Sequence, residues 1–143
     1  MRRAFVLTAR VFFIALMLAS ATGKLLNMPG FYDIVRNYHM VPEPLLIPSA
    51  WALTLFELAL GLTLVSAAWR RVVWCLVPLH LFYLAGLSQA LLRGLHLSNC
   101  GCFGVYWARP LTPYSIVEDL VLLSLAVLFY RLSRSPMNHG QTA

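Results

Sequence analysis

Four long stretches of apolar residues dominate this chain, and each approaches the ~20 residues that a helix needs to cross a hydrocarbon core of roughly 30 Å. They run from Phe5 or Val11 to Leu26, from Ile47 to Trp69, from Val72 to Leu92 and from Tyr114 to Tyr130. Each is apolar on all faces, unlike a helix lying on a water-facing surface. Hydrophobic residues make up 60% of the 143 positions and charged residues 11%, against roughly 45–50% and about 25% in ordinary globular domains. A chain of this size cannot bury that much apolar surface away from water by itself. The expected fold is therefore an all-α integral membrane protein. Residues 1–132 form a four-transmembrane-helix bundle, and the polar stretch 133–143 is expected to be a disordered cytoplasmic tail.

Between the second and third stretches lies only Arg70-Arg71, which makes those two helices antiparallel neighbours. The segments Asn27 to Leu46 and Arg93 to Pro113 are long, and their prolines and glycines break helices. Arg2, Arg3, Arg10, Arg70, Arg71, Arg131 and Arg134 collect on one side, with no acidic residue. Lys24, Arg36, Arg93 and Arg109 fall on the other, with Asp33, Glu43, Glu118 and Asp119. Basic residues retained inside place both termini in the cytoplasm and both long loops in the bacterial periplasm, across the inner membrane. The net charge of +6 then orients loops and meets lipid, and nucleic acid binding is excluded as its purpose. Ala19-Ser20-Ala21 resembles a signal-peptide cleavage site, but Leu25 and Leu26 continue the apolar run beyond it, and retention of the segment is expected.

The chemistry of the chain centres on Ser98-Asn99-Cys100-Gly101-Cys102-Phe103-Gly104 in the second long loop. Two thiols separated by one glycine can close a very small ring, and strained disulfides are easily reduced and suited to exchange. Gly101 tolerates backbone angles that such a turn demands, and Gly104 and Phe103 shape the rest of the loop. A structural bridge and a soft-metal site with His96 as third ligand are the alternatives. No metal site is assigned. Cys75 lies 25 residues before Cys100, with roughly 25 Å of helix between them, and is expected to be a small buried hydrophobe.

Glu57 is the charged residue of the second stretch, ten residues after Ile47 and twelve before Trp69. A carboxylate at mid-membrane costs at least ~2.5 kcal/mol and needs protonation, a partner or a polar cavity. His80 is the partner that helix depth favours, with Glu57 and His80 shaping a polar cavity or moving a proton. Lys24, at the end of the first stretch, reads either as a snorkelling anchor or as a cation that stabilises a nearby thiolate. Arg93, Arg109 and His96 are further candidates for that second task. Glu118 and Asp119 read as acids favoured at the start of the last helix.

Taken together, Gly23-Lys24-Leu25, Glu57 followed by Leu58-Ala59-Leu60-Gly61, and Cys100-Gly101-Cys102-Phe103-Gly104 resemble the MauE branch of the DoxX-like membrane proteins over about 130 residues. The cysteine block is the most specific of the three. Glu118-Asp119 stands where members often carry a basic and an amide residue. The resemblance implies a four-helix inner-membrane protein associated with thiol redox chemistry in methylamine utilisation. It also implies a part in maturing the disulfide-rich small subunit of methylamine dehydrogenase. Its partner would be a periplasmic thioredoxin-like protein or the disulfide-rich client itself. In outline the bundle is also similar to quinone-linked disulfide generators, although these carry a second cysteine pair.

The function expected is that of a thiol–disulfide redox helper in which Cys100 and Cys102 cycle between dithiol and disulfide. No cofactor is specified by the residues; Phe103, Tyr106 and Trp107 are expected to cover the site or to receive a quinone ring. The alternatives are a non-redox assembly factor or metal-binding protein that uses the Cys-Gly-Cys loop, and a small proton-coupled transporter built on Glu57.

Overall fold

The computed structural model describes residues 1–134, and those residues are helical with connecting loops. The elements are α1 (Arg2–Leu25), α2 (Met28–Asn37), α3 (Glu43–Val65), the short α4 (Trp69–Val72), a 3-10 turn (Val73–Cys75), α5 (Leu76–Leu92) and α6 (Pro113–Arg134). Three helical segments are long and apolar enough to cross a membrane: Arg2–Leu25, Glu43–Val65 and Trp69–Leu92. Their outward faces carry Leu7, Val11, Leu55, Phe56, Leu62, Trp74 and Phe82, all exposed, as expected of helices whose solvent is lipid. The expected fourth crossing corresponds to α6, which is 22 residues long but carries Glu118, Asp119, Arg131 and Arg134.

Helix α1 packs mainly against α3, and α5 against α6, with α1 also touching α6. The core at the arginine-rich end is aromatic. The Phe13 and Phe129 rings stack with centroids 5.9 Å apart, Trp69 stacks on Phe129 at 5.6 Å, and His80 meets Phe13 edge-on at 5.7 Å. At that same end the Arg10 guanidinium donates to the carbonyls of Leu64, Val65 and Ser66 at 2.8, 2.7 and 3.0 Å. These are among the last carbonyls of α3, which have no partner within the helix. Arg2 does the same for Leu132 of α6 at 2.8 Å. The basic residues thus hold helix ends together as well as lining one end of the bundle.

Four sequence expectations need correction. The segment Asn27 to Leu46 is not a continuous loop, because α2 forms within it. Pro29 falls in the first turn of α2, where its missing N–H has no partner to lose, and Asn27 caps the helix by accepting from the Gly30 amide at 3.0 Å. Helix α3 begins at Glu43 and ends at Val65, earlier at both ends than the apolar run from Ile47 to Trp69. Pro44 sits in its first turn and Pro48 is tolerated inside it. The break between the second and third long helices accordingly falls at residues 66–68, and Arg70-Arg71 lie within the helical turn α4. Helix α6 continues through Ser133, which is buried, to Arg134, so residues 133 and 134 are helical; the rest of the expected tail, 135–143, lies outside the described residues.

Candidate functional site

The cysteine loop folds over the end of the bundle opposite the arginines. Cys100 N–H donates to the Arg109 carbonyl at 2.8 Å and Leu111 N–H to that of Leu97 at 2.9 Å, so the loop doubles back on itself. Asn99 closes the turn at its tip, accepting from the Gly101 amide and donating to the Gly104 carbonyl, both at 2.9 Å. Gly101 has φ +77° and Gly104 φ +72°, the left-handed region that only glycine enters without strain. A Cβ on Gly101 would come within 2.7 Å of Ile34 Cγ2. Gly104 and Gly23 face one another so closely that a Cβ on either would overlap main-chain atoms of the other segment. This glycine contact pins the loop to the end of α1.

The resulting turn brings Cys100 Sγ and Cys102 Sγ to 3.3 Å. That is longer than a disulfide bond of about 2.05 Å and near enough for oxidation after a small approach. Both cysteines are half-buried free thiols, and so is Cys75, which sits in the 3-10 turn before α5 and is less enclosed than the buried hydrophobe expected there. The two loop thiols differ in acidity. A hydrogen bond from Cys102 lowers the Cys100 thiol to about 6, against the effect of burial and with help from the Arg109 charge. The same bond and burial push the Cys102 thiol well up, while the Lys24 charge draws it down.

Directly beneath the loop lies a buried polar network. Lys24 Nζ sits 2.6 Å from Glu57 Oε2 and 2.7 Å from Oε1, and both side chains are completely buried. The ammonium also donates to Ser20 Oγ and Tyr83 Oη, each at 2.9 Å. Tyr83 donates in turn to Glu57. The Ser20 hydroxyl lies 3.0 Å from Glu57 Oε2 and 2.6 Å from the Cys102 carbonyl, which ties the network to the cysteine loop. Phe31 and Tyr83 present their rings to Lys24 with centroids 5.3 and 5.2 Å from Nζ, a cation–π arrangement that helps a desolvated ammonium.

Lys24 is therefore neither a snorkelling anchor nor exposed at the membrane surface: its chain turns inward because Glu57 supplies the compensating charge. The expected partnership of Glu57 with His80 is likewise corrected. His80 Nδ1 meets the Leu76 carbonyl at 2.8 Å, and Lys24, Ser20 and Tyr83 satisfy the carboxylate. Glu118 and Asp119 lie beyond the first turn of α6, so they do not cap it. Glu118 pairs with Arg109 at 2.8 Å, and Asp119 is buried with Oδ2 lacking a hydrogen-bond partner. Ser20 and Tyr83 were missed. Their signal was positional, since Ser20 precedes Lys24 by one helical turn and therefore shares its face.

Two cavities meet at the cysteine pair. One, of about 420 Å³, lies between the loop, α5 and α6, with Cys100, Cys102, Phe103, Arg109, Glu118 and Asp119 in its wall. The other, of about 230 Å³, is more apolar, lies between α2, α3 and α5, and is walled by Phe31, Tyr38, Leu53, Tyr83, Cys100 and Cys102. Phe103 enters the first cavity's wall, whereas Tyr106 and Trp107 lie outside both linings and are mostly exposed. The Phe103 and Trp107 rings lie beside one another with centroids 6.3 Å apart. Among the described residues no three His, Cys, Asp or Glu side chains gather closely enough to hold a metal ion, and His96 is not brought to the pair as a third ligand.

The family model described as methylamine utilisation protein MauE matches residues 2–132. The chain is similar to the methylamine utilization protein MauE of Paracoccus denitrificans, with 32% identity over 120 residues, covering 82% of this chain and 64% of that protein. It is also similar to the MauE protein of Methylorubrum extorquens, with 34% identity over 96 residues, covering 66% of this chain and 51% of that one. The chain thus spans between half and two thirds of the length of these curated relatives. No solved structure matches it.

Proposed function

The chain belongs to the MauE family, and from that premise we propose that it is an inner-membrane thiol–disulfide exchange protein of methylamine utilisation. Its task in this reading is to support maturation of a periplasmic disulfide-rich client, the small subunit of methylamine dehydrogenase, directly or through a thioredoxin-like partner. The observation that carries the reading is the pair of loop thiols 3.3 Å apart with unequal acidity. Cys100, whose thiol lies at about 6, is ionised at neutral pH and acts as the nucleophile. Its thiolate attacks a client disulfide, forms a mixed disulfide and releases one client thiolate. Cys102 then attacks the Cys100 sulfur and releases the second, leaving the client reduced and the pair oxidised. The reverse sequence passes a disulfide to a client dithiol.

Four crossings with both termini cytoplasmic complete the proposal. The basic end of the bundle, with Arg2, Arg10, Arg70 and Arg134, supports that orientation, and α6 forms the fourth crossing with its acids turned toward the loop cavity. Labelling intact cells with a membrane-impermeant maleimide tests both parts. Cys100 and Cys102 are expected to react after reduction and to be protected after oxidation. Absence of labelling in both states overturns the periplasmic placement. A Cys102→Ser variant is expected to trap the client as a mixed disulfide on Cys100, and failure to trap any thiol protein counts against exchange.

A further inference from the structure

When the cysteine pair closes to a disulfide, both thiol protons must leave. Cys100 faces no difficulty, since it is ionised near neutrality and belongs to a loop at the end of the bundle. Cys102 is the more deeply buried of the two, and this burial, which persists once Cys100 is bonded to the client, opposes loss of its proton. Its neighbours in the polar network offer no acceptor: the Cys102 carbonyl and the Glu57 carboxylate are already engaged by Ser20, Lys24 and Tyr83. Across the cavity of about 420 Å³ that Cys102 helps to wall stands Asp119, itself 7% exposed, with Oδ2 buried and unbonded. A carboxylate oxygen buried without a partner is costly. The cavity is wide enough to admit water, so a hydrogen-bonded chain of waters can join the two groups that wall it.

We propose that Asp119 is the proton acceptor for Cys102 in the resolving step, an assignment that rests on the exchange reading above. In that step the Cys102 proton passes to Asp119, the Cys102 sulfur bonds to that of Cys100, and the bond from Cys100 to the client breaks. The client sulfur leaves with the electron pair as a thiolate. Asp119 then returns its proton to water. The groups around it are Cys100, Cys102 and Arg109 of the loop, Tyr114 and Glu118 of α6, and, in the neighbouring network, Lys24, Glu57 and Tyr83. Glu118 is committed to Arg109 and Glu57 to Lys24, which leaves Asp119 as the acid of this set with an open oxygen.

The two steps separate when the full-length reduced protein, carrying Cys75→Ser, reacts with 5,5′-dithiobis(2-nitrobenzoic acid) in detergent. Attack by Cys100 releases one thionitrobenzoate, and resolution by Cys102 releases the second. Asp119→Asn is expected to leave the first phase within about twofold and to slow the second at neutral pH by on the order of 10²-fold, the usual size of a general-base effect. Raising the pH is expected to restore the second phase, and so is Asp119→Glu. In the protein with its native Asp119, a solvent deuterium isotope effect is expected on the second phase alone, which tests the role without altering the site. An unchanged second phase in Asp119→Asn, equal slowing of both phases, or an isotope effect shared by both overturns the assignment. If the native pair never releases the second equivalent, the exchange reading itself fails, and this assignment fails with it.

Discussion

Lys24 Nζ rests 2.6 Å from Glu57 Oε2, and neither side chain has any exposed surface. Each is the condition for the other's burial, because either alone would be an uncompensated charge inside the bundle. Removing one partner of such a pair costs about 3–5 kcal/mol, whereas replacing both with apolar residues of similar size is often neutral. Lys24→Met and Glu57→Leu should therefore each lower the thermal midpoint of the purified protein in detergent substantially. The double variant should recover most of the loss. Additive losses would show that the two residues act independently.

The second prediction concerns the cysteine loop. Gly104→Ala forces a Cβ into the main chain of Gly23 and must lift the loop from α1. Gly94 also has positive φ, at +67°, but nothing lies within 4 Å of a Cβ there. Gly94→Ala should cost only the roughly 1–2 kcal/mol of a left-handed alanine and leave the thiol pair able to oxidise. Gly104→Ala should impair oxidation of Cys100 with Cys102, read by the mass shift on alkylation after mild oxidant. Equal oxidation in the two variants would argue against the pinning contact.

The third prediction follows from the acidity of Cys100. Its alkylation rate should rise with pH through a midpoint near 6, since the thiolate is the reactive form. Because Cys102 supplies the principal stabilisation, Cys102→Ala should move that midpoint upward toward the ordinary value of 9.0. Arg109→Gln should move it the same way by less. The stability linkage has the sign of a depressed acid: the contribution of the thiolate is fully present above the ordinary value and lost as pH falls through about 6. A Cys100 midpoint unaffected by loss of Cys102 would contradict the hydrogen bond as its cause.

At the opposite end, Arg10 binds three carbonyls at the end of α3 and lies 5.1 Å from the centre of the Trp69 ring. Hydrogen bonds from a charged donor contribute about 1.5–3 kcal/mol each at most. Arg10→Met, which keeps the apolar stem, should destabilise the protein by about that amount in a chemical-denaturation experiment in micelles. Cys100 reactivity should not change, because the cysteine loop is at the other end of the bundle.

Much of this arrangement could be read from residues alone. Apolar runs located the long helices, and one glycine between two cysteines marked the loop in which two thiols meet. Lys24 and Glu57 stood out as charges in apolar surroundings. Their mutual pairing did not, because helix depth favoured His80, and only the packing of α1 on α3 brings Lys24 to the carboxylate. Helix α2 was hidden by Pro29-Gly30, which reads as a breaker in sequence but serves as a helix start once Asn27 caps it. Asp119 looked like an ordinary acid near a helix terminus. Its meaning depends on a cavity whose walls come from α1, α5, α6 and the loop, and no local pattern encodes such a convergence.

Gly23 and Gly104 meet through main-chain atoms with no side chain between them, and the Ser20 hydroxyl adds a second tie from α1 to the cysteine loop at the Cys102 carbonyl. The exposed Leu7 and Val11 of α1 have no part in either tie, so substitutions there should leave the sulfurs where they are relative to the ammonium below them. Two positions lacking any functional group thus carry the main-chain contact on which the cysteine loop rests.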